Sequence, residues 1–184
     1  MDNYPSSLAP AFEEGGGVAT PFDEWWPMAR KHYEYVPEEV GRDWLHRHWS
    51  HSPFGWLPSA AYRFRLVEWP HDQLHNIRTG WSDFIEDPTP AIEHGRYLAV
   101  DHRKRFTYPL AEVMISTGTF PVPPVVIDNR DGHLASLPGA SFPYPPAHLL
   151  IEGHRRFNIA AYLATIGQLR WAVPFWLMER ADQG

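Results

Sequence analysis

The segment Leu149-Leu150-Ile151-Glu152-Gly153-His154-Arg155-Arg156 constrains this chain more than any other. An apolar run of strand character stops at a glycine. The pattern then changes to a helical period, with Phe157, Ala160, Ala161 and Ala164 on one face. A strand that feeds directly into a helix requires a sheet with helices packed against it. The neighbouring segments agree. Val125-Val126-Ile127 reads as a second buried strand, Val173 to Met178 as a third, and Tyr62 to Trp69 as a strand with Tyr62, Phe64 and Leu66 on one face. Tyr97 to Val100 reads as a further short strand and Leu110 to Ser116 as a short helix. A turn is expected at Asn129-Arg130-Asp131-Gly132 and a loop over the proline-rich stretch Ser136 to Pro146. The expected class is α/β or α+β with a mixed sheet.

The front of the chain reads differently. Its first two dozen residues hold Pro5, Pro10, Pro21 and a Gly15-Gly16-Gly17 run, which suggests a flexible arm or strap. The glycines are followed by Val18, Ala19 and Thr20, so they lack the Gly-Lys-Ser/Thr ending of a phosphate loop. Pro37, Glu38 and Glu39 start a helix of about three turns ending near Ser50. The expected organisation is an arm and helix over residues 1–60 and a sheet domain over 61–184.

With 184 residues, 43% of them hydrophobic, the chain has enough apolar material for a core, and nine Trp and ten Phe supply large side chains. The absence of cysteine excludes disulfides, thiol catalysis and Cys-ligated metal. It also suits the cytoplasm, the expected location. No apolar run approaches the roughly 20 residues of a membrane span, and the acidic start does not resemble a signal peptide. A net charge of −6 leaves room only for local contact with nucleic acid.

Chemistry concentrates at the strand-to-helix turn. A helix N-terminus favours acidic side chains, yet His154, Arg155 and Arg156 occupy this one. Either a bound phosphate compensates, gripped by an arginine fork and the free amides, with Gly153 allowing close approach, or Glu152 pairs with one arginine and the other meets water.

This part of the chain, from about Phe106 to Met178, resembles the ParB/sulfiredoxin-like superfamily of nucleotide-binding domains. The likeness rests on three features. A short helix, Leu110-Ala111-Glu112 to Gly118, leads through Pro123-Pro124 into Val125-Val126-Ile127. The second is the Gly-x-x-Arg signature at Gly153-His154-Arg155-Arg156, and the third is the small pair Ala160-Ala161. The resemblance implies that Arg156 binds phosphate and that the backbone of Gly153, His154 and Arg155 cradles ATP or CTP with Mg²⁺. Arg156→Ala is then expected to abolish nucleotide binding with little loss of fold. His154 stands where sulfiredoxins carry their reactive cysteine, which excludes sulfinic-acid reduction. It also replaces an acidic residue of partition proteins, and the downstream helix-turn-helix of those proteins is missing. The members most similar in size are plasmid fertility-inhibition or oncogenic-suppression factors, which block conjugative DNA transfer. Some of these act as ATPases and DNases.

The functional expectation is therefore a Mg²⁺-dependent nucleotide hydrolase and DNase acting on or near DNA. His154 would be acid or base, Glu152 a carboxylate for the hydrated Mg²⁺ or simply a cap, and Arg156 a stabiliser of phosphoryl charge. The dense basic run His102-Arg103-Lys104-Arg105 would touch DNA phosphates through Arg103, Lys104 and Arg105 or form a solvated turn. Two alternatives remain open. One is a non-catalytic inhibitor that binds a component of a conjugative transfer or type IV secretion machine through Trp25, Trp26, Trp44, Trp49 and Trp56. The other is a small-molecule kinase with its substrate pocket at the loop around 136–146. His46, His48 and His51 invite a metal reading, but on a helix His46 points away from the other two.

Overall fold

The computed structural model describes residues 1–80, 83–136 and 143–181. They form a mixed α/β structure with a five-stranded sheet. Its strands are β1 (Tyr62–Pro70), β2 (Ile77–Arg78), β3 (Val125–Asp128), β4 (His148–Glu152) and β5 (Ala172–Arg180), in the order β1-β5-β3-β4-β2. β3 runs antiparallel to β4, with Asp128 opposite His148, whereas β2 runs parallel to it, with Ile77 opposite His148. The helices are α1 (Phe22–Ala29), α2 (Glu38–Val40, continuing as a π turn over Gly41–His46), α3 (Thr89–Arg96, continuing as a π turn over Tyr97–His102), α4 (Pro109–Thr117) and α5 (His154–Thr165). The chain divides into two units, Met1–Arg65 with Met178–Gly184, and Leu66–Leu177, so that both crossings fall within strands, β1 and β5.

In the first unit the expected arm is tied down. The amides of Asp2 and Asn3 donate to the carbonyls of Leu57 and Gly55 at 2.9 and 2.8 Å. Phe12 and Val18 bridge across the triple glycine. Helix α1, which starts within the expected arm, buries Trp25, Trp26 and Ala29, and Trp25 Nε1 donates to the Leu8 carbonyl at 2.7 Å. Helix α2 starts after Pro37 as expected and buries Val40, Trp44 and Leu45. Trp25, Trp26, Trp44 and Trp49 are all buried, so they serve packing and not base stacking.

In the second unit, Val126 and Leu150 from the sheet meet Phe157, Ile159, Ala160 and Leu163 of α5, Leu98 and Ala99 of the α3 extension, and Ala111 and Met114 of α4. Two sequence expectations are corrected here. The residues 97–100 are helical, not a strand. Helix α3 carries Pro90 in its first turn and runs on through them, burying Leu98 and Ala99, and this tertiary packing overrides the weak strand propensity of Tyr-Leu-Ala-Val. The alternation in β1 also slips by one residue. Arg65 and Leu66 are both exposed, Leu66 at 53%, and Val67 is buried in the place expected for Leu66. Most of the proline-rich loop, residues 137–142, lies outside the described residues, and with it the kinase pocket expected there. Its flanks meet where the Tyr144 amide donates to the Ala135 carbonyl at 2.9 Å.

Candidate functional site at the start of helix α5

The site is built from the end of β4 and the first turn of α5. Leu149, Leu150 and Ile151 are buried, which fixes the strand, and Glu152 is its last residue. Gly153 then turns the chain at φ +92°, a left-handed conformation that favours glycine. A Cβ at this position would also stand 2.9 Å from Pro124 Cβ and 3.2 Å from Arg156 Nη2. The turn is thus closed on both sides by its own neighbours.

Helix α5 begins with no side-chain cap and no acidic residue in its first turn. The amides at 154–156 have no acceptor within the helix, because a helix leaves its first N–H groups without i−4 carbonyls. The two arginines separate sharply. Arg156 is only 9% exposed. Its Nη1 donates to the Val122 carbonyl at 2.7 Å and its Nη2 to Glu152 Oε2, four residues earlier at the end of β4. Glu152 thus pairs with Arg156, and Arg155 is the exposed arginine. The burial of Arg156 gives its truncation a stability cost that the sequence did not reveal.

His154 is partly buried, and burial holds its pKa down to about 4. Its ring is therefore neutral at pH 7 and carries one donor and one acceptor nitrogen. Its Nε2 lies 3.9 Å from the point where a side chain on Gly80 would begin. Beyond Gly80, Phe84 packs edge-on against Tyr144 with ring centroids 4.8 Å apart. Asp83 and Phe84 hold positive φ angles of 50° and 59°, a strained backbone beside the site. None of these residues was flagged by the sequence. Gly80 was the only available signal, and it is isolated. One turn into α5, Asn158 is fully buried with neither its amide nitrogen nor its oxygen hydrogen-bonded. On α3, His94 is held below its usual value by burial and by the charge of Arg155.

Glu152, Gly153, His154, Arg155 and Arg156 are thus gathered at one turn. The other basic candidates lie elsewhere. Arg103, Lys104 and Arg105 are exposed after the π turn of α3, with Lys104 Nζ 3.4 Å from Asp101. Arg103 and Lys104 share a groove with Tyr162 and Ile166, at the opposite end of α5 from Gly153. His46 Nε2 hydrogen-bonds with the Thr20 carbonyl, and His51 Nδ1 with that of Trp49, each at 2.8 Å. Among the described residues, no group of three or more His, Asp or Glu side chains is placed to hold a metal ion. No helix of these residues is long and apolar enough to cross a membrane. No family model, curated protein or solved structure matches the chain.

Proposed function

We propose that this protein binds the phosphate tail of a nucleotide, ATP being the first candidate, at the start of α5. The observation that carries the reading is the first turn of α5, which has no side-chain cap and no acidic residue, with the exposed charge of Arg155 beside a left-handed glycine turn. Such a terminus combines oriented donors with about half a positive charge, and an arginine fork adds geometric selectivity for phosphate oxygens. Arg156 and Glu152 hold the turn in shape, and Arg155 closes on the ligand. The donor set fits a phosphate. It offers Mg²⁺ less, since the Glu152 carboxylate is engaged by Arg156.

Calorimetric titration with ATP and with inorganic triphosphate tests the reading. Both should bind wild type, and Arg155→Ala should weaken both by about tenfold, the worth of one charge-assisted contact. Absence of binding to wild type, or affinity indifferent to Arg155→Ala, overturns it.

Hydrolysis, DNA cleavage and a role in blocking conjugative transfer extend this proposal, with His154 as the acid or base. One observation favours a second reading, in which the nucleotide controls a non-catalytic inhibitor. An imidazole with a pKa of about 4 is a weak base at neutral pH. Phosphate release from ATP that disappears in His154→Gln would support catalysis, and tight binding without release would support the inhibitor.

A further inference from the structure

We infer that the groove at the C-terminal end of α5 is a second site, and that it takes a small amphipathic organic anion. The groove has a volume of about 440 Å³, within the range of small-molecule sites. Three elements form it. The π turn of α3 contributes Ala99 and Val100, α4 contributes Ile115, and α5 and the residues after it contribute Tyr162, Leu163, Ile166 and Gln168. The lining is divided almost evenly between polar and apolar surface, and Ile166 is left 45% exposed. Arg103 and Lys104 add two cations to the lining.

The charges decide which ligand fits. The Asp101 carboxylate is shared between Lys104 at 3.4 Å and Arg96 at 3.2 Å. Arg103 spends one donor on the Ala99 carbonyl at a long 3.4 Å and keeps its remaining N–H groups. Two cations beside the apolar side chains of Val100, Ile115 and Ile166 match a molecule with one carboxylate, sulfonate or phosphate on an aromatic or aliphatic body. The backbone supports the same conclusion, because π turns inside α-helices recur at functional sites. Here the π turn leads straight into Arg103. The site is separate from the one at Gly153: Tyr162, where its α5 wall begins, stands about 13 Å further along the helix.

The probe is 1-anilinonaphthalene-8-sulfonate, an aromatic body with one sulfonate, and its uncharged counterpart is N-phenyl-1-naphthylamine. Fluorescence titration should show saturable one-to-one binding of the sulfonate to wild type. Binding should be about tenfold weaker in Arg103→Ala/Lys104→Ala and also weaker in Ile166→Ser, while the uncharged probe should bind wild type and the double variant alike. These side chains are exposed, and circular-dichroism melting checks that each variant remains folded. Non-saturable binding, or sulfonate affinity unchanged in both variants, overturns the inference. Displacement of the probe by a single-stranded oligonucleotide at lower concentration than by decanoate also overturns it, in favour of nucleic acid.

Discussion

Arg156 shows how one side chain can be read two ways from sequence. It has the position of a phosphate ligand, yet it is buried, paired with Glu152 and bonded to Val122. Removing one member of a buried pair leaves the other charge uncompensated, which costs about 3 kcal/mol. Arg156→Ala should therefore lower the urea midpoint strongly, whereas Arg155→Ala should leave it nearly unchanged. Equal midpoints for the two variants would contradict the assignment of their roles. His154 gives a pH dependence whose sign is fixed. Its folded pKa, about 4, lies below the unfolded value of about 6.5, so between these values the unfolded chain binds the extra proton. Stability from this group is complete above the upper value and is lost as the pH falls towards the lower one, by up to about 3 kcal/mol. His154→Gln should flatten the urea midpoint between about pH 7 and about pH 4.5, and a slope as steep as that of wild type would refute the burial argument.

At the scale of elements, the tightest contact is between α3 and α5. A Cβ at Gly95 would lie 1.8 Å from the Asn158 carbonyl oxygen. Gly95→Ala must push the helices apart and should cost about 3 kcal/mol, while Gly15→Ala, with open space around it, should cost little. Thermal midpoints of the two variants compare the sites directly. This contact also explains what could be read from the sequence and what could not. Strands β3, β4 and β5 were legible as apolar runs and helix α5 by its helical period, with Pro124 before β3, Gly153 between β4 and α5, and Gly167 after α5 marking boundaries. The helical state of residues 97–102 was not, because it depends on a partner helix nearly sixty positions away. The slip in β1 at Leu66 escaped notice because an alternating sequence carries no mark of a register break. In the candidate site, the turn and its basic residues were legible. The division of labour between Arg155 and Arg156 was not, since it depends on the Val122 carbonyl, which contributes no side-chain signal.

At the scale of the whole molecule, the net charge of −6 limits any nucleic-acid contact. If DNA binds through Arg103, Lys104 and Arg105 alone, at most three phosphates are neutralised. The logarithm of affinity should then fall with the logarithm of salt concentration at a slope no steeper than about −3. A steeper slope in anisotropy titrations would mean that other cations take part. The central claim, a nucleotide held by its phosphates at the start of α5, is tested most directly by thermal unfolding with ATP, CTP, GTP and inorganic triphosphate, each with and without Mg²⁺, on wild type and Arg155→Ala. A ligand at a hundred times its dissociation constant stabilises by about 2.7 kcal/mol, enough to move the midpoint by several degrees. The account predicts that shift in wild type and a reduced one in Arg155→Ala, with inorganic triphosphate retaining part of it. No shift with any of the four ligands would contradict it.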